Sequence, residues 1–141
     1  MALFPAEMPR PEPDRDDKEF WEGCAQRKLQ FQTCAACGNP RHPPLPICPK
    51  CHSTRTKWIE APEQAVVYTY CVVHHPNAPM VESVVPYVVG VVEFPEFAGV
   101  RLVTNITDID PARITIGMRV VCWWDDIGDG MFIPRFRPGQ A

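Results

Sequence analysis

The sequence has no apolar run near the ~20 residues that a membrane-spanning helix needs, so a helical membrane protein is not expected. Its start, MALFPAEMPRPEPDRDD, lacks a basic stretch followed by a long apolar one. A secretory signal is therefore not expected either, and the chain is placed in the cytoplasm. GxSxG, HExxH, the P-loop and GxGxxG are all missing, and with them the chemistry those spacings serve. Residues 61–141 contain no lysine; five Arg stand against nine Asp and Glu, a net charge of −4. Such a segment repels a phosphate backbone, so nucleic acid is not an expected partner. Long helices are disfavoured as well, because seventeen prolines are spread through 141 residues and each removes a backbone donor.

What is present divides into three parts. Residues 1–30 form an extended proline-rich arm and then a helix. Asp14 is the expected cap of a helix that begins near Arg15 and ends near Arg27 or Lys28, with Asp16, Asp17 and Glu19 near its positive end. Phe20, Trp21 and Cys24 share one helical face, Gly23 weakens the helix, and KLQFQT reads as a short strand. Residues 31–60 carry four paired cysteines. Residues 61–141 hold five runs rich in Val, Ile and aromatics: AVVYTYCVVHH, VPYVVGVVEF, GVRLVTNIT, MRVVCWW and MFIPRFR. With one longer link after the third run, they suit a small five-stranded barrel of the OB type. The expected class is mainly β.

Cys34, Cys37, Cys48 and Cys51 follow C-x2-C-x10-C-x2-C. A two-residue gap lets one tight turn aim two sulfurs, and its amides, at a single ion. Two such knuckles make a closed tetrahedron of thiolates, which suits structural zinc and leaves no open position for substrate. The CxxCG…CPxC pattern also resembles rubredoxin, so a red iron centre is the alternative to colourless zinc. His42 and His52 read as solvated loop residues.

Other reactive side chains have plain readings. His74 and His75 are adjacent on a strand, point to opposite sides, and read as rim histidines. Cys24, Cys71 and Cys122 read as buried apolar thiols. Asp125, Asp126 and Asp129 read as turn residues. Of Trp123 and Trp124, one should face the core and one outward, where with Phe94 and Phe97 it would either form a partner surface or, with equal weight, be covered by the barrel ends and the N-terminal helix. Independent catalysis is not expected.

Arg41, Lys50, Arg55 and Lys57, against Glu60, give the cysteine segment a net charge of +3. That patch suits a small anion such as the diphosphate of a coenzyme A thioester. A stand-alone acyl-CoA binding module is one reading, and a ribbon–barrel nucleic-acid binder is a weaker one.

The span EFWEGCAQRKLQFQTCAACGNPRHPPLPICPKCHSTRTKWIEA, followed by VVYTYCVVHHP, resembles an acyl-CoA-associated family of unknown-function domains with a rubredoxin-like zinc ribbon and an OB-fold. The resemblance runs from about Asp16 to near the end. It rests on Phe20-Trp21, Leu29, Pro43-Pro44, Cys48-Pro49-x-Cys51, Trp58 and the barrel runs. It implies a zinc-bound, non-catalytic subunit of a hetero-oligomer with a thiolase-superfamily enzyme: a thiolase, an acyltransferase or a retro-aldolase. The partner would own the catalytic cysteine or tyrosine. One departure is the link EAPEQA, which lacks the glycines common at that joint and implies a stiffer connection.

Overall fold

The computed structural model describes residues 2–139. One helix, α1 (Lys18–Ala25), precedes β1 (Gln30–Cys34), β2 (Pro40–Arg41) and β3 (Thr56–Glu60), which form a sheet in the order β2-β1-β3. Then come β4 (Gln64–Val73), β5 (Tyr87–Phe94), β6 (Val100–Ile106), β7 (Arg119–Asp126) and β8 (Phe132–Pro138), closed as β4-β5-β6-β8-β7. The β6–β8 pair is parallel and the others are antiparallel, so five strands close without an unpaired edge. The longer link after β6 contains a single 3-10 turn, Pro111–Arg113, begun by the Asp110 carboxylate accepting from the Ala112 amide. Among the described residues no helix is long and apolar enough to cross a membrane.

Alternation in β5 is complete: Val88, Gly90, Val92 and Phe94 face inward and are buried. Gly90 leaves room there for Ile106, whose Cδ1 would lie 2.6 Å from any added Cβ. In β1 the alternation fails, because Phe31, Gln32, Thr33 and Cys34 are all buried. That strand is the centre of its sheet and also enters the barrel core. Phe31 packs edge-on against Phe94, with ring centroids 5.0 Å apart, and Phe94 in turn meets Phe136. Phe20, Cys24 and Leu29 belong to the same cluster, so helix, ribbon and barrel share one apolar interior.

The joint from ribbon to barrel is pinned. The Ala61 amide donates to Leu29 O at 2.7 Å, and the Cys122 amide donates to Glu63 O at 2.8 Å. Buried Ala61 and Ala65 flank it, which accounts for a link without glycine. Gly23, expected to weaken α1, has a packing role: a Cβ there would meet the Gln30 side chain at 2.8 Å.

Two expectations need correction here, and one open alternative is decided. The helix starts at Lys18, not Arg15, because Asp14 turns its carboxylate onto the Asp16 and Asp17 amides and holds a tight turn first. Phe94 is fully buried and belongs to the core rather than to a partner surface. Asp125 lies inside β7, not in a turn, and is 1% exposed. Asp126 does serve the turn by accepting from the Gly128 amide, and Asp129 pairs with Arg10. Both Trp123 and Trp124 are half-buried, bonded through their indole N–H groups to Thr107 and Glu63.

Candidate metal centre

The knuckles of the ribbon are two near copies of one turn. The Gly38 amide donates to Cys34 O and the His52 amide to Cys48 O, both at 2.9 Å. Across each turn, the Cys34 amide donates to Asn39 O and the Cys48 amide to Ser53 O, again at 2.9 Å. The residue after each second cysteine is left-handed: Gly38 has φ 78° and His52 has φ 62°. Glycine takes that conformation freely, whereas histidine takes it at a cost.

The turns bring four sulfurs to one point. Cys34 Sγ lies 3.5 Å from Cys51 Sγ, and Cys37 Sγ lies 3.7 Å from Cys48 Sγ. All four fall within 4.8 Å of one another. Four sulfurs about 2.3 Å from a central zinc form a tetrahedron with edges of about 3.8 Å, so the set fits that ion. The Ala36 and Cys37 amides both point at Cys34 Sγ, 3.4 Å away. That from Cys37 does most to pull the Cys34 thiol down to about 6. The Cys51 amide likewise leads in lowering Cys48. At Cys51 the Ser53 amide also acts to lower the value, but the neighbouring sulfurs, Cys34 first among them, push it up to about 11. The site favours negative sulfur yet cannot gather it all without a cation, as expected of a donor set built for a metal.

The surrounding residues divide differently from the sequence reading. His42 is not a solvated loop residue. Its ring lies between Phe20 and Phe31, with centroids 4.9 and 5.4 Å away, and burial lowers it to about 4 against a small opposing pull from Asp17. His52 is exposed, as are His74 and His75. Lys50, Arg55 and Lys57 are exposed around the ribbon, but Arg41 is buried at 6% exposure and donates to Leu45 O at 2.9 Å. Cys24 and Cys122 are buried as expected, and burial raises each to about 12. Cys71 is exposed, contrary to expectation, because β4 turns that side chain away from the core.

Sequence reasoning missed a second polar cluster. Arg135 donates from Nε to Asp125 Oδ2 at 3.1 Å and from Nη1 to Asn105 Oδ1 at 2.6 Å. The Leu3 amide also donates to Asp125 Oδ2, at 3.2 Å. The arm therefore lies ordered over this face: Phe4 sits edge-on to Tyr87, and Arg10 donates to Ile127 O and Gly128 O. The one available sequence signal was the opposite charge of Asp125 and Arg135 on neighbouring runs.

The comparisons agree with this architecture. Residues 21–56 match the family described as the ChsH2 rubredoxin-like zinc ribbon domain, and residues 58–125 match the ChsH2 C-terminal OB-fold domain. A probable enoyl-CoA hydratase alpha subunit of Thermomonospora curvata is 46% identical over 130 residues, 92% of this chain and 40% of that protein. The 3-oxo-4,17-pregnadiene-20-carboxyl-CoA hydratase alpha subunit of Mycobacterium tuberculosis is 35% identical over 90% of this chain and 39% of its own length. The chain thus spans about two fifths of those two relatives. A DUF35 domain-containing scaffold protein of Methanothermobacter thermautotrophicus is 32% identical over 71% of this chain and 74% of its own. Among solved structures, a chain of an Ltp2-ChsH2(DUF35) aldolase superposes with TM-score 0.83 at 46% identity, covering 92% of this chain and 98% of that one. A DUF35 protein of Sulfolobus solfataricus, 16% identical with TM-score 0.61 over 86% of this chain and 84% of that one, shares the fold. With ribbon, barrel and relatives in agreement, this chain belongs to the DUF35 family, in its ChsH2-type form of a rubredoxin-like zinc ribbon followed by an OB-fold.

Proposed function

We propose that this chain is a non-catalytic zinc-ribbon subunit of a cytoplasmic hetero-oligomer, seated on a thiolase-superfamily enzyme that makes or breaks carbon–carbon bonds in acyl-CoA. The observation that carries this reading is the likeness to a chain of an Ltp2-ChsH2(DUF35) aldolase, over 92% of this chain and 98% of that one. The geometry supports it. Cys34, Cys37, Cys48 and Cys51 would hold zinc with no free coordination position, so the ion shapes the ribbon rather than reacting. The ribbon presents Leu45 and Ile47, 40% and 51% exposed, as apolar docking contacts beside Lys50, Arg55 and Lys57. These cations would meet acidic partner groups or coenzyme A phosphates, with Arg41 holding the Leu45 carbonyl behind them. The catalytic cysteine or tyrosine belongs to the partner.

A second reading is favoured by the two hydratase alpha subunits: the chain supports hydration of an enoyl-CoA. Co-purification with the tagged chain separates the two. A thiolase-like subunit should be retained, and acyl-CoA cleavage should need both proteins. Recovery of a hydratase-type subunit instead would favour the second reading. Turnover of an acyl thioester by the isolated chain would overturn both.

A further inference from the structure

The N-terminal arm, residues 2–13, is held to the barrel near Leu3, Phe4 and Arg10. The Leu3 amide donates to Asp125 Oδ2 at 3.2 Å. The Phe4 ring centroid lies 5.1 Å from that of Tyr87 and 5.2 Å from the Arg135 guanidinium carbon. Arg10 donates to Ile127 O at 2.6 Å and Gly128 O at 3.2 Å, and it pairs with Asp129 at 3.1 Å. Between Phe4 and Arg10 the chain makes its own turn, in which the Met8 amide donates to Pro5 O at 3.1 Å. There the arm spans a cavity of about 380 Å³ instead of packing down. The lining that the arm does not supply is Trp21, Asp126, Ile127, Ile133 and Arg135.

The arm is a cover, not part of the core. None of residues 2–13 is buried, and none belongs to the shared apolar cluster. Atoms that face a void lack the dispersion contacts that fix a core side chain. The Arg10–Asp129 pair is 38% and 90% exposed, and exposed pairs contribute little. Segments held this way open without the rest of the fold. The surface beneath also stands without the arm. Arg135 keeps its bonds to Asp125 and Asn105, so lifting the arm strands no charge. Asp125 is short of donors, however: its Oδ1 is enclosed with none, and Oδ2 has Leu3 and Arg135. The carboxylate therefore favours a covering chain that brings a backbone N–H.

These contacts amount to a recognition pattern. Asp125 takes a backbone N–H, Tyr87 and Arg135 take the next residue's ring, and the β7–β8 turn takes a cation. Two carbonyls and the acidic Asp126 and Asp129 fix the sign at that turn. Pro5, Pro9, Pro11 and Pro13 restrict the free arm, so docking costs it less order than it would an ordinary segment. We infer that this face of the barrel is a peptide-docking groove and that the arm is its resident, releasable occupant. The partner it fits is a proline-bearing segment of another chain with an aromatic residue and, as from Phe4 to Arg10, a cation six positions on. In the free chain the groove is self-capped, and the incoming segment exchanges with the arm. The groove does not depend on which enzyme the chain joins.

The test uses the zinc-loaded full chain and, as probe, an acetylated peptide of residues 2–13, ALFPAEMPRPEP, with a fluorophore at its C-terminus. The double variant Phe4→Ala, Arg10→Ala weakens the tethered arm and leaves the groove intact. It should bind one peptide per chain, saturably. Wild type should bind about tenfold more weakly or worse, because its own arm competes at a millimolar effective concentration. A peptide with its Phe and Arg both changed to Ala should bind neither protein. In wild type, which needs no variant, the Leu3 amide should exchange hydrogen at least about a hundredfold faster than the amides of β5, since the arm lifts while the barrel stays closed. The proposal is overturned if the double variant does not bind the peptide, or if wild type binds it equally well. It is also overturned if the alanine peptide binds as tightly, or if Leu3 exchanges no faster than β5.

Discussion

Arg135 and Asp125 form an ion pair inside the fold, on neighbouring strands, with Nε 3.1 Å from Oδ2 and side chains only 12% and 1% exposed. Burial works against the Arg135 charge and lowers its pKa; the Asp125 carboxylate acts in the opposite direction. Removing one partner of such a pair strands a charge and costs about 3–5 kcal/mol, whereas removing both often costs far less. Asp125→Ala should therefore destabilise the chain by about that amount, and Asp125→Ala with Arg135→Met by much less. Urea unfolding of the two single variants and the double variant measures the coupling. Additive losses would contradict the pairing.

The ribbon should depend on its metal. Residues 35–55 build little core of their own, so the cross-link made by the ion replaces it. Cys37→Ser is expected to lose zinc, to lose protection of the ribbon amides against hydrogen exchange and to abolish partner docking. Cys71→Ser, at an exposed position outside the ribbon, should change none of these. A metal-free Cys37→Ser that keeps protected amides and binds its partner would refute the scaffold role.

His52 is the costly copy of Gly38. The two occupy equivalent places in the knuckles, with φ of 62° and 78°. Placing a non-glycine residue there costs about 1–2 kcal/mol, partly offset by the greater freedom of glycine in the unfolded chain. His52→Gly should stabilise the zinc-bound protein by about 1 kcal/mol, and Gly38→Ala should destabilise it by a similar amount. Thermal melts of zinc-loaded samples give both signs. A destabilised His52→Gly would show that the ring makes a contact worth more than the strain.

Acid should act through His42. Its folded value is about 4 against an ordinary 6.5, because burial disfavours the charged ring. Between those values the unfolded chain binds a proton that the folded chain refuses. This contribution is fully present above pH 6.5 and is lost as pH falls towards 4, by about 3 kcal/mol at most. His42→Phe should therefore flatten the fall in stability between pH 7 and pH 5, read as urea midpoints at each pH. An unchanged slope would place the acid sensitivity elsewhere.

Much of this was legible one residue at a time. C-x2-C-x10-C-x2-C states a metal site by spacing alone, since each tight turn is local. The five barrel runs are legible through β-branched residues, and β5 keeps strict alternation. Contacts made between distant segments were not legible. Whether Phe94 faced a partner or was covered within the fold stayed open until Phe31 of β1 was found against it. His42 looked like a loop histidine until Phe20 and Phe31 enclosed it.

By itself, the sequence determined the local geometry: where turns form, which sulfurs can meet, and which strands carry an inward face. These follow from spacing, backbone preference and side-chain periodicity, all set within a few neighbouring residues. Only the tertiary structure decided what those elements cover. It seats β1 in the barrel core, lays the N-terminal arm over Asp125, withdraws Arg41 from the surface and leaves Cys71 upon it. Burial depends on which distant segment arrives to exclude water, and no local pattern records that arrival.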